Sequence, residues 1–343
     1  MRCAVELSGY NVALAEAELE SVLAGTGGRR HAGTHWPQAL RWIEVEVADG
    51  TEARALLHRL ALAHRVLSLI GPFTGPETEH WFASAGREGR SISLRPIGRS
   101  DPPLGRGALD AFARAFVAAG GRVDLEHPDR RLFAAPGEAG WTVAETLAET
   151  DRWAFGERRM PRMPFQRPVS LPPRLGRVAV NLAGVRPGDR VVDPFVGTGA
   201  LLLEAAYVGA RITGVDRDPA MIRGALANVT AHGFAFEDLA VDDAAAVADR
   251  YRGPPFDAIV TDPPYGRASS SAGESPAELV QRVLPRWAIH LRPEGRISVV
   301  VPGGYDLLPP PWRCTVCVAD RVHRSLTREF RVYERAPTAV TGS

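Results

Sequence analysis

Asp262-Pro263-Pro264-Tyr265 follows directly on the apolar run Asp257-Ala-Ile-Val-Thr261. Two consecutive prolines hold an extended turn and cannot join a strand ladder, so the Pro263 carbonyl is expected to point outward. A carboxylate beside such a carbonyl can accept both hydrogens of an amine attached to an aromatic base. That amine is a poor nucleophile, because its lone pair is delocalised into the ring. Holding both N–H groups favours the pyramidal nitrogen formed as it attacks, through electrostatic positioning rather than strong-base chemistry. Tyr265 suits stacking on a base taken out of its helix. Alone, the four residues read equally well as a proline turn.

What precedes them decides between these readings. In VVDPFVGTGALLLEAA, residues 191–206, a strand ends in Asp193, a loop carries Pro194, Phe195, Gly197 and Gly199, and a helix begins at once. Glycines there let the backbone turn tightly and bring its amides close to a ligand at the helix N-terminus. The spacing is not that of a dinucleotide fingerprint, and the loop has no lysine to make it a phosphate-binding Walker loop. The next strand, RITGVD, ends in Asp216, placed to accept both hydroxyls of a ribose. Asp243, after a presumed third strand, is placed to accept from the adenine amine of a nucleoside cofactor. Asp242 beside it could do the same, and a solvated loop is the plain alternative. Ser170 lies within reach of the cofactor's amino-acid end.

The elements that must position these groups alternate cleanly in the second half. Helices are expected over 174–183, 200–208, 219–232 and 276–290. Strands are expected over 190–193, 211–216, 239–241, 257–261, 297–301, 315–318 and 329–333. This is a doubly wound α/β domain. Before it, strands near 3–7, 40–47, 66–70, 91–97 and 131–135 and helices over 13–23, 53–63 and 109–119 suggest a small α+β module. Between them, RRMPRMPFQRPVSLPP holds five prolines and no acid, a linker or ordered arm. The division expected is 1–156, an arm over 157–173, and 174–343.

Composition narrows the function. Every one of the 41 basic residues is arginine, and the formal net charge is +1, so any nucleic-acid footprint must be local. From Arg158 to Arg190 eight arginines face a single acid, Asp189. That makes Arg158, Arg159, Arg162 and Arg167 of the arm the candidates for phosphate contact. Three cysteines make no disulfide framework. Cys314 and Cys317 have CxxC spacing, but no second ligand pair lies nearby for zinc, and their alternating run reads as core strand. No metal is expected. The N-terminal stretch has glutamates where a signal peptide would be apolar, and no stretch reaches membrane-spanning length. A cytoplasmic protein is expected.

At these residues the chain resembles a known family. The second half is similar to class I S-adenosylmethionine-dependent methyltransferases with a Rossmann-like fold. The whole chain resembles the THUMP-domain tRNA guanosine-N2 methyltransferases. The similarity runs through ELSGYNVALAEAELESVL, VDLEHPDRRLF, the arm, DPFVGTG, DPPYG and HRSLTREFRVYER. It implies a ferredoxin-like plus THUMP module that grips tRNA, with S-adenosylmethionine as cofactor. It also implies a guanine N2 substrate, with position 10 of tRNA expected, and Asp262, Pro263, Pro264 and Tyr265 as catalytic residues. Asp193, Gly197, Gly199, Asp216 and Asp243 would hold the cofactor. The chain departs from the family pattern in the arm, with Gln166-Arg167-Pro168-Val169-Ser170, and in the proline-rich SISLRPIGRSDPPLGRG. Two other functions fit the motifs: amine methylation of adenine N6 or of a small molecule, and a non-catalytic RNA-binding protein.

Overall fold

The structure, a computed structural model, describes residues 1–31, 36–98, 103–137, 140–151, 155–158, 162–167, 170–264, 274–303, 307–324 and 326–336. Chain contacts divide it into two units. The first comprises Met1–Ala15, Thr26–His58 and Leu62–Thr150, and the second Glu16–Gly25, Arg59–Ala61 and Asp151–Ser343.

The first stretch of chain runs β1 (Arg2–Leu7), α1 (Val12–Thr26), β2 (Arg29–Arg30), β3 (Trp42–Glu46), α2 (Gly50–Arg59), β4 (Ala63–Pro72), α3 (Pro76–Arg87), β5 (Ser91–Pro96), α4 (Arg106–Ala118), β6 (Arg122–Val123), β7 (Arg130–Gly137) and β8 (Gly140–Glu149). Its described strands form one mixed sheet in the order β2-β3-β1-β4-β8-β7-β5-β6. Asn11 caps α1 by accepting from the Leu14 amide, and Gly27 ends the helix at φ 83°. α2 starts earlier than expected because the Asp49 carboxylate accepts from the Thr51 and Glu52 amides. α3 and β8 were not expected from the sequence. α3 starts at Pro76, whose fixed φ suits the first turn, and buries Phe82 against Phe112 and Phe116 of α4. β8 buries two consecutive residues, Val143 and Ala144, which breaks the alternation that marks a strand.

The second unit carries α5 (Pro173–Leu182), β9 (Arg190–Asp193), α6 (Ala200–Tyr207), β10 (Arg211–Asp216), α7 (Pro219–Ala231), β11 (Phe236–Val241), α8 (Ala244–Arg250), β12 (Phe256–Thr261), α9 (Pro276–Ala288), β13 (Leu291–Pro302), β14 (Trp312–His323) and β15 (Leu326–Arg335). The sheet order is β11-β10-β9-β12-β13-β15-β14. The first five strands are parallel, and β15 and β14 close the sheet antiparallel. This is the doubly wound Rossmann-like arrangement expected. Its order reverses between β9 and β12, and such a switch opens a crevice at the carboxyl ends of the strands. One face buries Phe256, Val283, Trp287 and Ile297.

The segment after Asp243 is helix α8, which removes the alternative of a solvated loop. One local expectation fails here. Cys314 and Cys317 are exposed, because β14 is the edge strand and pairs with β15 alone; a strand's alternation fixes its faces, not which face is covered. Cys3 is buried. Among the described residues no helix is long and apolar enough to cross a membrane.

Candidate active site

The two strands flanking the switch each end in one of the motifs. β9 ends in Asp193 and β12 ends in Thr261, the residue before Asp262. Asp193 is 1 % exposed. Its Oδ1 accepts from the Phe195 amide at 2.9 Å and from the Thr261 hydroxyl at 2.6 Å. One buried oxygen thus ties the glycine loop to the segment bearing Asp262. Burial pushes the Asp193 carboxyl up to about 7, and the charges of Asp262 and Asp216 add to the rise. Asp193, expected to hold cofactor, therefore faces inward and supports both loops from beneath.

The loop itself requires its glycines. Gly197 has φ 50° and Gly199 has φ 79°, a region that side-chain-bearing residues rarely adopt. A Cβ on Gly199 would also stand 3.1 Å from Ala225. Pro194 is buried, and Phe195 packs against the core beneath the crevice. The Val196 amide donates to the Val215 carbonyl at 2.9 Å, which seats the loop on β10.

Asp216 stands at the end of β10, as expected. It accepts from the Gly197 amide at 3.0 Å through Oδ2 and from the Asp218 amide at 2.9 Å through Oδ1. Burial raises its carboxyl above the usual range despite those bonds. A half-buried acid that already braces the loop through one lone pair on each oxygen keeps further acceptor sites for a diol. Asp243 caps α8, accepting from the Ala245 and Ala246 amides at 3.0 and 3.1 Å. It also meets Arg282 at 3.2 Å, and Arg282 in turn holds Glu274 at 2.8 Å. Burial favours the neutral Asp243, but the Arg282 bond and the helix amides outweigh it and hold the group below its usual value. Asp242 is engaged separately by Arg250.

Ser170 Oγ lies 3.0 Å from Thr198 Oγ1, a direct contact between the arm and the glycine loop. Asp262 is half-buried with its Oδ1 shielded from solvent, Pro263 is buried and Pro264 half-buried. Tyr265 and Arg159 lie outside the described residues.

The arginine run behaves differently from expectation. Arg158, expected to face phosphate, is instead buried: its side chain is 8 % exposed and its Nε meets Glu204 at 2.6 Å. Its guanidinium also covers the rings of Tyr207 and Phe155 at 4.2 and 4.7 Å. Arg177 joins the same carboxylate at 3.0 Å, and Arg190 pairs with Glu237 at 2.8 Å. Three of the eight arginines, Arg158, Arg177 and Arg190, are thus paired with carboxylates inside the unit that carries them. Arg162 and Arg167 remain exposed, the latter over the Phe165 ring at 5.0 Å.

Sequence reasoning missed three supporting residues: Thr261, Glu204 and Asn228. Each is of a common type, and each acts on a partner 30 to 68 positions away, so no local spacing marks it. Beside the glycine loop a cavity of about 340 Å³ is bounded by Met163, Phe165, Ser170, Thr198, Glu204 and Asn228. Among the described residues no group of three or more His, Cys, Asp or Glu could hold a metal ion.

Comparison with known proteins agrees with this geometry. Residues 161–308 match the family of RMKL-like methyltransferase domains. The tRNA (guanine(10)-N2)-dimethyltransferase of Methanothermobacter thermautotrophicus is 32% identical over 98% of this chain and 100% of its own length. That of Pyrococcus abyssi is 35% identical over 62% of this chain and 64% of its own. The crystal structure of TrmN from Thermus thermophilus superposes with a TM-score of 0.52 at 22% identity, covering 98% of this chain and 100% of that one, which supports the fold. With a relative 32% identical spanning nearly the whole chain, and with the glycine loop, Asp216 and the Asp-Pro-Pro segment gathered at one end of the sheet, the chain belongs to the tRNA (guanine(10)-N2)-dimethyltransferase family.

Proposed function

We propose that the chain methylates the exocyclic N2 amine of guanosine 10 in tRNA, using S-adenosylmethionine. The observation that carries this reading is the buried Asp193 bridge. It fixes a nucleoside-binding loop and an amine-accepting Asp-Pro-Pro turn at one sheet switch point. Loop amides at the start of α6 and the half-buried Asp216 fit the amino-acid and ribose parts of the cofactor. S-adenosylmethionine supplies a methyl group on a positively charged sulfur. Asp262 and the Pro263 carbonyl accept the two N–H bonds of the amine and orient its lone pair toward that methyl. Asp262 would stabilise the positive charge that develops on the nitrogen as it takes up the methyl group, and the proton that the nitrogen then sheds would pass to solvent. Tyr265 stacks on the displaced base. The relative spanning nearly the whole chain and the one matching 62% of it are both named dimethyltransferases, which supports transfer of a second methyl to the same nitrogen.

The N-terminal unit is proposed to act as a THUMP-containing tRNA-binding module, and the protein to work in the cytoplasm. Arg162 and Arg167 are the arm residues left to meet phosphate. The test is single-turnover methyl transfer to unmodified tRNA, with the product nucleoside identified by mass. Asp262→Asn keeps the size and removes the charge, and the rate should fall about a hundred- to a thousandfold. Full activity in that variant would sink the mechanism. A methylated adenosine as product would move the chain to the N6 reading.

A further inference from the structure

Asn228, near the C-terminal end of α7, is 2 % exposed and bonds through both ends of its amide to backbone far away in sequence. Its Oδ1 accepts from the Phe165 amide at 2.8 Å. Its Nδ2 donates to the Phe165 carbonyl and to the Thr198 carbonyl, both at 2.9 Å. The first two bonds grip the arm as a neighbouring strand would, and the third grips the glycine loop. One helical turn earlier, Gly224 leaves the notch into which the Phe165 ring fits: a Cβ there would stand 2.0 Å from that ring. Five residues along the arm, Ser170 reaches Thr198 at 3.0 Å. Arm and loop are therefore joined twice, once through Asn228 and once directly.

We propose that Asn228 is a positioning residue that clasps the proline arm to the glycine loop and so pre-sets the half of the cofactor site that the two share. The proposal rests on the reading of Ser170 and the loop as cofactor contacts. An amide is the side chain the geometry requires. Two carbonyls need donors and one amide needs an acceptor, around a side chain that is itself buried. Aspartate in its place would set a carboxylate against two carbonyl oxygens. A leucine would leave three backbone groups, the Thr198 carbonyl among them in a buried bond, without their side-chain partner. Because Asn228 touches neither Asp262 nor the base, its effect belongs to cofactor affinity and not to the transfer step.

Four proteins are compared with the wild type by calorimetric titration with S-adenosylmethionine, steady-state methylation and thermal melting: Asn228→Asp, Gly224→Ala, Phe165→Ala, and Gly224→Ala with Phe165→Ala. In Asn228→Asp and Gly224→Ala, cofactor Kd and KM should rise about 10- to 100-fold, as expected for losing two or three buried bonds. Their kcat at saturating cofactor should stay within about threefold of wild type. Adding Phe165→Ala to Gly224→Ala removes the steric conflict while leaving the backbone groups that Asn228 holds, so most of the affinity should return. A role confined to stability predicts lower melting and a smaller active fraction with KM unchanged, and that outcome overturns the proposal. So does wild-type affinity in a folded Gly224→Ala protein, a variant that carries the test should Asn228→Asp fail to fold. Failure of the wild type itself to bind S-adenosylmethionine would instead overturn the cofactor reading.

Discussion

The crevice at the ends of β9 and β12 and the arginine run of 158–190 were both legible as charge, yet they use it in opposite ways. In the crevice three carboxylates, Asp193, Asp216 and Asp262, gather, and among the described residues no arginine is bonded to Asp193 or Asp216; these two are held by backbone amides and a threonine hydroxyl. In the run, Arg158 and Arg177 converge on the buried Glu204, and Arg190 takes Glu237. The crevice keeps acceptor capacity for something that comes from outside. The run uses its charge to pin the chain to itself. A tally of charges along a sequence cannot distinguish these two states, because the partner that neutralises a charge can come from any part of the fold.

Removing the acid at the centre of the arginine cluster should give the largest change in stability. Glu204→Ala leaves the Arg158 and Arg177 guanidiniums buried without their carboxylate, and should cost about 3–5 kcal/mol in denaturant unfolding. A loss below about 1 kcal/mol would mean the cluster is effectively solvated and the contrast with the crevice is false.

Asp193→Asn probes the crevice from the other side. Both bonds at Asp193 end on Oδ1, so an amide can keep them while the charge is lost. An unfolded aspartate gives up its proton near pH 3.9, whereas the buried group holds it to about 7. In between, the folded chain holds the extra proton. The stability this contributes is complete below the unfolded value and is lost as pH rises through the folded one. Asp193→Asn should therefore be the more stable protein at pH 8, on the order of 2–4 kcal/mol, with the difference shrinking toward pH 4. Melting curves at several pH values measure this, and parallel curves for the two proteins would mean that burial does not set the Asp193 charge.

The smallest effect is expected where the run does reach solvent. Arg162→Ala with Arg167→Ala should change stability by no more than about 0.5 kcal/mol. It should weaken tRNA binding and lower the slope of log affinity against log salt by about one to two. An unchanged slope would leave the arm without phosphate contacts.

How far the molecule could be read in advance follows from how local each signal is. The glycine loop, Asp216 and the Asp-Pro-Pro turn are short patterns whose constraints act within a few residues, and each stands where its spacing put it. So does Ser170. Asn228 and Thr261 escaped because an asparagine or threonine is informative only once its distant partner is known. Cys314 and Cys317 misled for a related reason: alternation showed that they share a strand, while edge position, set by the whole sheet, decided their exposure. α8 could have been read, since an aspartate before an alanine-rich run is an N-cap signal.

The composition of the second unit bears on how the protein is made. Glu18 Oε1 accepts from the Asn181 side chain at 2.7 Å and from the Ala61 amide at 2.9 Å, and Arg59 Nε donates to Asn181 Oδ1 at 2.5 Å. These groups leave the ribosome some 120 to 160 residues before the asparagine that joins them. Closing loops of that length belongs to the slow, non-local part of folding, so until α5 is synthesised the early segments must wait with a buried-type acid and arginine still in water. A gene fragment beginning at residue 151 would encode the whole parallel sheet, yet it would leave Asn181 facing solvent where Glu18 and Arg59 belong. Splitting this protein for separate expression at its apparent linker would therefore yield a catalytic half with a missing wall.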